Sequence, residues 1–321
     1  MSATLRPTAV PTATTPTAPA DGYTLPIGHA LSIGLVGAGR VGAVLAAALA
    51  RAGHPLVGAT ARSTTSRARV RAMLPGTAVR DARRVAATAD LVLLSVPDDA
   101  LAPLVESLAD AGAFRPGQVV AHTSGAHGLA VLDPAASAGA HPLALHPAMT
   151  FTGDPGDLDR LAGTSFGVTA GPGLHSLAEH LVADLGGSPE WVSEDGRALY
   201  HAGLAHGANH LVTLVNEALD RLREAGVLHP EKVAAPLLRA ALENALRLGD
   251  SALTGPVSRG DSGTVARHLA ALEDVAPDSV PSYVELARRT ADRAIASGRL
   301  RPADAESLLD VLARRQDRTS A

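Results

Sequence analysis

Three glycines stand at the spacing Gly37-x-Gly39-x-x-Gly42, directly after the apolar run Ile33 to Val36 and directly before an Ala/Leu-rich stretch, Ala43 to Ala52. In that context each glycine has a separate task. Gly37 permits a tight turn, Gly39 lets the backbone approach a pyrophosphate, and Gly42 lets a helix pack close to a strand. The first N–H groups of the helix, those of Arg40 and Val41 among them, then face a phosphate with the positive end of the helix dipole. The glycines alone would mean little in a chain that has 31 of them. The strand, turn and helix around them carry the argument.

A dinucleotide site usually places Asp or Glu at the end of the second strand, on the ribose 2′-OH. Here that strand is predicted over Gly53 to Thr60, and Arg62-Ser63-Thr64-Thr65-Ser66-Arg67 follows without an acid. Arg62 can clamp a 2′-phosphate, and hydroxyls such as Ser63 and Thr64 can donate to it. NADP(H) is therefore expected in preference to NAD. The competing reading has Arg62 and Arg67 only solvating a helix start.

Two histidines stand where a proton could be handled, because imidazole titrates near working pH. His146 is predicted at a strand end, in Leu145-His146-Pro147. His201 follows Arg197 by four residues, on the same face of a helix, and Asn209 lies two turns further. Ala202, Gly203 and Ala205 leave space beside that Arg197–His201–Asn209 stripe, either for a ligand or for close helix packing. Ser124 and Gly125, at the tip of another predicted strand, could hold a substrate carboxylate through hydroxyl and backbone N–H groups, or form an ordinary Ser-Gly turn.

The elements that must position these residues follow from pattern. The run Asp90 to Val96 is nearly all apolar, as a strand buried on both faces should be. Its end, Ser95-Val96-Pro97, should lie beside a nicotinamide ring, since strand carboxyl ends line the ligand crevice of an open α/β sheet. Asp98 and Asp99 read as capping acids of the helix Ala100 to Ala111. A weak helix is expected over Ser66 to Met73, with short strands at Thr77 to Val79 and Gly117 to His122. His141 to Phe151 reads as turn, short strand, turn. Strands Ser165 to Thr169 and Pro189 to Val192 flank a helix, Leu174 to Leu185. From Asp195 strands disappear. One long helix is predicted from Arg197 to Ala225, then helices over Pro230 to Gly249, Thr264 to Leu272, Val280 to Ser297 and Pro302 to Arg315. The expected fold is α/β, a Rossmann-type doubly wound sheet followed by an all-α C-terminal domain. The predicted division is a disordered Thr/Ala/Pro-rich tail over 1–27, a cofactor domain over 28–194 and a helical substrate and dimerisation domain over 195–316, with the site at their junction.

Composition narrows the function. Length, 321 residues, suits two domains. With 2% aromatic residues and a net charge of −4, nucleic-acid binding is not expected. There is no cysteine, so thiolate nucleophiles, thiolate metal sites and disulfides are excluded. No run is long and apolar enough for a membrane, and no signal pattern opens the chain, so a cytoplasmic location is expected. His206 and His210 have a spacing metals can use, but no acid completes a set and no metal is expected.

The glycine motif, Arg62, Ser95-Val96-Pro97, Leu145-His146-Pro147, Tyr200-His201 with Asn209, and Leu253-Thr-Gly-Pro-Val-Ser-Arg-Gly-Asp261 together resemble a bacterial oxidoreductase family. That family pairs a Rossmann-like domain with a helical C-terminal domain of unknown function. The resemblance covers about residues 30 to 295, and the Leu-Thr-Gly-Pro-x-x-Arg-Gly-Asp segment is specific to it. The first domain also resembles ketopantoate reductase, pyrroline-carboxylate reductase and 3-hydroxyacid dehydrogenases. The resemblance implies hydride transfer between NADP(H) and a small 2-oxo acid, or an imine. In ketopantoate reductase and the hydroxyacid dehydrogenases a lysine on the first helix after the cofactor domain donates the proton; this chain has Arg197 near that place. Arginine holds its proton, so it can serve only as an electrostatic clamp. Lys232, the only lysine, lies on a later helix and reads as a surface residue. His201 or His146 then becomes the proton donor, and Arg197 or Arg259 the grip on the substrate's anion. Asp261 is expected to cap the helix after it. The alternatives are an imine or deazaflavin-linked NADP reductase and, from another class, a non-catalytic NADP-binding regulator. A homodimer through the helical domain is expected.

Overall fold

The structure, a computed structural model, describes residues 29–319 apart from residue 172. The tail expected over 1–27 lies outside them. The chain divides into two compact units, one up to Ala205 and one from His206.

The first unit runs β1 (Ile33–Val36), α1 (Arg40–Arg51), β2 (Leu56–Ala59), α2 (Thr64–Met73), α3 (Ala82–Thr88), β3 (Leu91–Leu94), α4 (Asp98–Asp110), β4 (Val119–His122), α5 (Asp133–Ser137), β5 (His141–Pro147), α6 (Asp157–Arg160), β6 (Ser165–Ala170), α7 (His175–Asp184), β7 (Ser188–Trp191) and α8 (Arg197–Leu204). Seven strands form one sheet in the order β2-β1-β3-β4-β5-β6-β7. Strands β1 to β5 are mutually parallel; β6 reverses direction against β5, and β7 runs parallel to β6. The order turns back at β1, between β2 and β3, which opens a crevice at the carboxyl ends of these strands. Alternate side chains feed two cores. Ile33, Leu35, Leu91 and Leu93 pack with α1 and α7 on one face. Val36, Val92, Leu94 and Val120 pack with α3, α4 and α5 on the other. That two-sided burial is why these strands read as continuous apolar runs.

Several elements differ from expectation. The short strand at Thr77 to Val79 is reduced to a single bridge, Ala59 to Val79. The segment after it forms α3, begun by Asp81, whose carboxylate accepts from the Arg84 N–H. β5 is seven residues long and central, because its two prolines, Pro142 and Pro147, fall at its ends. The single helix predicted from Arg197 to Ala225 is interrupted by a π-helical turn over Ala205–Asn209. Gly207, within that turn, lowers the local preference for a regular α-helix.

The second unit holds α9 (His210–Glu224), α10 (Pro230–Leu248), α11 (Ser262–Val275), α12 (Val280–Ala296) and α13 (Pro302–Thr319). Its core is built from Val265 and Leu269 on α11, Val284, Ala287 and Ala291 on α12, and Leu308 and Leu312 on α13. α9 buries no residue, and α10 buries only Pro230 and Ala234. Asp261 caps α11 by accepting from the Thr264 N–H.

Candidate active site

The glycine loop joins β1 to α1 at the switch point of the sheet. Gly37 has φ +103°, and a Cβ there would run into the carbonyl oxygen of Ser95. A Cβ on Gly42 would meet the Gly37 carbonyl, and would stand 2.8 Å from the Ser95 Cβ. Gly39 is open: the nearest atom to its absent Cβ is 3.9 Å away. The turn, the close packing and the free approach thus fall on the three glycines in the order the motif requires. Thr60 holds the loop, its hydroxyl accepting from the Gly37 N–H at 2.8 Å and its carbonyl from the Ala38 N–H at 3.0 Å. No side chain caps α1, so the N–H groups of Arg40 and Val41 stay available to a phosphate.

At the end of β2, Arg67 donates to the Ala61 carbonyl and Arg69 to the Ala38 and Gly153 carbonyls. Arg62 is exposed and, among the described residues, has no hydrogen bond or ion pair. Ser63 is taken up by a reciprocal capping box with Ser66 at the start of α2. Its hydroxyl accepts from Ser66 N and donates to Ser66 Oγ, which leaves Arg62 as the free group at this place.

Across the crevice, the ends of β3, β4 and β5 line up. Leu94 pairs with His122, and His122 with Ala144, so His146 stands two residues beyond, level with the residues that follow β4. Ser95 and Thr123 are joined by their hydroxyls at 3.1 Å. Val96 is half-buried, and Pro97 opens α4 with Asp98 and Asp99 in its first turn. The loop after β4 is stapled by His122, which is wholly buried. Its Nδ1 accepts from the Ser124 N–H at 3.1 Å, and its Nε2 lies 2.8 Å from the Gly128 carbonyl. Burial holds its pKa down at about 4, so the ring is neutral. Ser124 is buried, and its hydroxyl accepts from the His127 N–H. Glu194 accepts from the Leu129 and Ala130 N–H groups and fixes the far side of the loop.

Gly125 is the floor of the site. A Cβ there would stand 2.6 Å from Cδ2 of His201 and 2.9 Å from Nε2 of His146. The two imidazoles meet edge to face, with centroids 5.9 Å apart. Burial, then the Arg197 and His201 charges, holds His146 down at about 4. The structure therefore brings together Gly125, His146 and His201, three of the expected residues, from the loop after β4, from β5 and from α8.

Arg197 does not sit as a clamp. It is 1% exposed and gives its donors to three carbonyls: Nε to His127 at 2.8 Å, Nη1 to Gly167 at 3.0 Å and Nη2 to Ser124 at 2.9 Å. A guanidinium with three of its five N–H donors on backbone carbonyls and its surface closed to solvent is not placed to grip a substrate anion. It is instead a brace that ties α8 to the strand ends and a fixed positive charge behind the histidines. This brace also explains why α8, expected with the helical half, belongs to the first unit. The regular helical repeat behind the Arg197–His201–Asn209 stripe stops at Leu204, and Asn209 closes the π turn in the second unit. Arg259 ends a 3₁₀ turn of the second unit, Val257–Arg259, and is exposed without an ion pair among the described residues. His206 and His210 bond to each other at 3.1 Å. Three residues not expected to have a site role also position it: His122, Glu194 and Tyr200, whose hydroxyl lies 3.0 Å from His146 Nδ1.

Residues 20–147 match the family model of the Rossmann-like domain, and residues 164–290 match that of the domain of unknown function DUF2520. The chain is similar to the crystal structure of a Bacteroides fragilis protein provisionally named an NADP oxidoreductase, at 22% identity and TM-score 0.68, covering 82% of this chain and 98% of that one. It is similar to a reductive aminase from Aspergillus terreus in complex with NADPH and ethyl-5-oxohexanoate, at 19% identity and TM-score 0.59, covering 84% and 95%. A Plasmodium falciparum pyrroline carboxylate reductase with NADP bound aligns at 13% identity and TM-score 0.54, covering 86% and 98%. No curated protein matches the chain. At these identities the solved structures establish the fold. Among the described residues, no helix is long and apolar enough to cross a membrane.

Proposed function

Since the chain belongs to the family that joins a Rossmann-like domain to DUF2520, we propose that it is an NADP(H)-dependent oxidoreductase that reduces a small 2-oxo acid. One observation carries the reading. The glycine loop at an uncapped helix start and the histidine pair on Gly125 both stand at the carboxyl ends of the parallel strands β1, β4 and β5 of one sheet. The open Gly39 and the Arg40 and Val41 N–H groups suit the pyrophosphate, Arg62 suits the 2′-phosphate, and Ser95, Val96 and Pro97 suit the flank of the nicotinamide. The dinucleotide supplies the hydride when bound. His201 or His146 handles the proton of the nascent alkoxide, and the Ser124–Gly125 turn receives the substrate's carboxylate. The buried Arg197 charge stabilises negative charge growing in front of the histidines without touching it.

The second reading is an imine acceptor. Two of the similar folds are a pyrroline carboxylate reductase and a reductive aminase, and the absence of a lysine on α8 suits a substrate that asks less of a proton donor. A screen of NADPH oxidation against 2-oxo acids and imines decides between them. Oxidation with oxo acids supports the first reading and oxidation with imines alone the second. Tight NADPH binding with no turnover on either panel overturns both and leaves a non-catalytic regulator.

We also propose a homodimer. The α9–α10 pair leaves Leu214, Val233, Leu237, Leu242 and Leu246 between 45% and 81% exposed, more apolar surface than a solitary helix pair keeps in water. Light scattering should give twice the chain mass for the wild type and a smaller particle for Leu237→Glu; a wild-type monomer at micromolar concentration contradicts the assignment.

A further inference from the structure

Tyr200 has no part in the reading above, yet among the described residues it is the one side chain hydrogen-bonded to a candidate proton donor. Its hydroxyl lies 3.0 Å from Nδ1 of His146, and the two rings stand edge to face at 87°, centroids 5.6 Å apart. We propose that Tyr200 is a positioning residue that fixes His146 as the Nε2–H tautomer, so that His146 presents a neutral hydrogen-bond donor to the substrate at the floor of the site.

The phenol fills the space a side chain at residue 167 of β6 would need: a Cβ on Gly167 would stand 2.5 Å from both Cζ and the hydroxyl oxygen. Gly167 faces His146 directly across the β5–β6 pairing, so the glycine is the gap through which the α8 tyrosine reaches the β5 histidine. The Arg197 guanidinium lies over the ring, 5.8 Å from its centroid.

The direction of the bond follows from counting protons. Burial raises the Tyr200 pKa, so the phenol keeps its proton; burial and Arg197 keep the imidazole neutral. Were His146 to donate from Nδ1, the half-buried hydroxyl proton would have no acceptor among the described hydrogen bonds. With the hydroxyl donating to a bare Nδ1, each group serves in its stronger role, the phenol as donor and the imidazole nitrogen as acceptor. The remaining proton of His146 then sits on Nε2, the atom 2.9 Å from the Cβ position of Gly125. A neutral donor at that point polarises a carbonyl or imine without carrying charge, and it leaves His201 to deliver the proton.

The consequence for catalysis rests on the reductase reading; the tautomer itself does not. Nitrogen-15 spectra of the full chain, with His146 identified by His146→Gln, read it directly. At neutral pH the wild type should show Nδ1 unprotonated and Nε2 protonated, and Tyr200→Phe should show a mixture of the two forms. In the same variant kcat should fall about tenfold to a hundredfold, with KM and NADPH affinity nearly unchanged. An Nδ1–H tautomer in the wild type overturns the assignment, and this needs no variant to fold. An unchanged spectrum in a folded Tyr200→Phe overturns it too. The predicted tautomer in a protein that reduces no carbonyl or imine upholds the positioning and refutes the reductase reading alone.

Discussion

Nη2 of Arg197 lies 2.9 Å from the carbonyl oxygen of Ser124, seventy-three residues away in sequence, and this bond ties the first turn of α8 to the loop that floors the site. Two further carbonyls depend on the same side chain. Arg197→Lys keeps the charge but cannot reproduce the fork, so it should lower stability by on the order of 2 kcal/mol in urea unfolding while leaving the His146 titration in place. Arg197→Met removes the charge too, and the His146 pKa should then rise from about 4, because Arg197 is its second-largest source of depression after burial. A His146 resonance that titrates identically in all three proteins contradicts this account of Arg197.

Acid should loosen the loop after β4. His122 is neutral when folded down to about pH 4, whereas an unfolded histidine takes up its proton near 6.5. Between those values the unfolded chain binds more protons, so stability is full above 6.5 and falls as pH drops toward 4, by on the order of 3 kcal/mol from this residue. His122→Asn should be less stable at pH 7 yet show a shallower loss between pH 6.5 and 4.5. A wild type as steeply acid-sensitive as the variant counts against it.

Gly125→Ala places a methyl group where His201 and His146 now converge, 2.6 Å and 2.9 Å from their nearest ring atoms. The rings must separate, while the glycine loop is untouched. Turnover should drop about a hundredfold with NADPH affinity within twofold of wild type, since misplacement of about 1 Å is enough for such a loss. Steady-state kinetics beside a binding titration checks this, and full activity in the variant would remove Gly125 from the site.

Much of this was legible in the sequence, and the reasons are local. Gly37, Gly39 and Gly42 could be assigned because strand, turn and helix lie within twenty residues. His146 and His201 could be singled out because each stands at an element end or on a helix face that pattern reveals. What pattern does not reveal is burial and long-range pairing. Arg197 read as a clamp because its charge is visible in sequence and its three carbonyl partners are not. Tyr200 stands out in sequence only as His201's neighbour; its partner is 54 residues earlier, and the gap that admits it is Gly167 on another strand. β5 read as a fragment because its terminal prolines looked like turns.

Among the described residues Arg62 has no hydrogen bond or ion pair, while Arg67 and Arg69 are spent on carbonyls. Arg62→Glu should weaken NADPH binding by about a hundredfold and leave NADH nearly unchanged, because a carboxylate repels a 2′-phosphate and accepts from a 2′-hydroxyl. Fluorescence titration with both nucleotides measures the ratio. Unaltered discrimination would take Arg62 out of the cofactor site.

Calorimetric titration of the folded wild-type chain with NADPH and with NADH tests the whole account at its root. Saturable binding of NADPH, tighter than that of NADH, is the predicted result. Protein that is folded by circular dichroism and gives no heat with either nucleotide would contradict it.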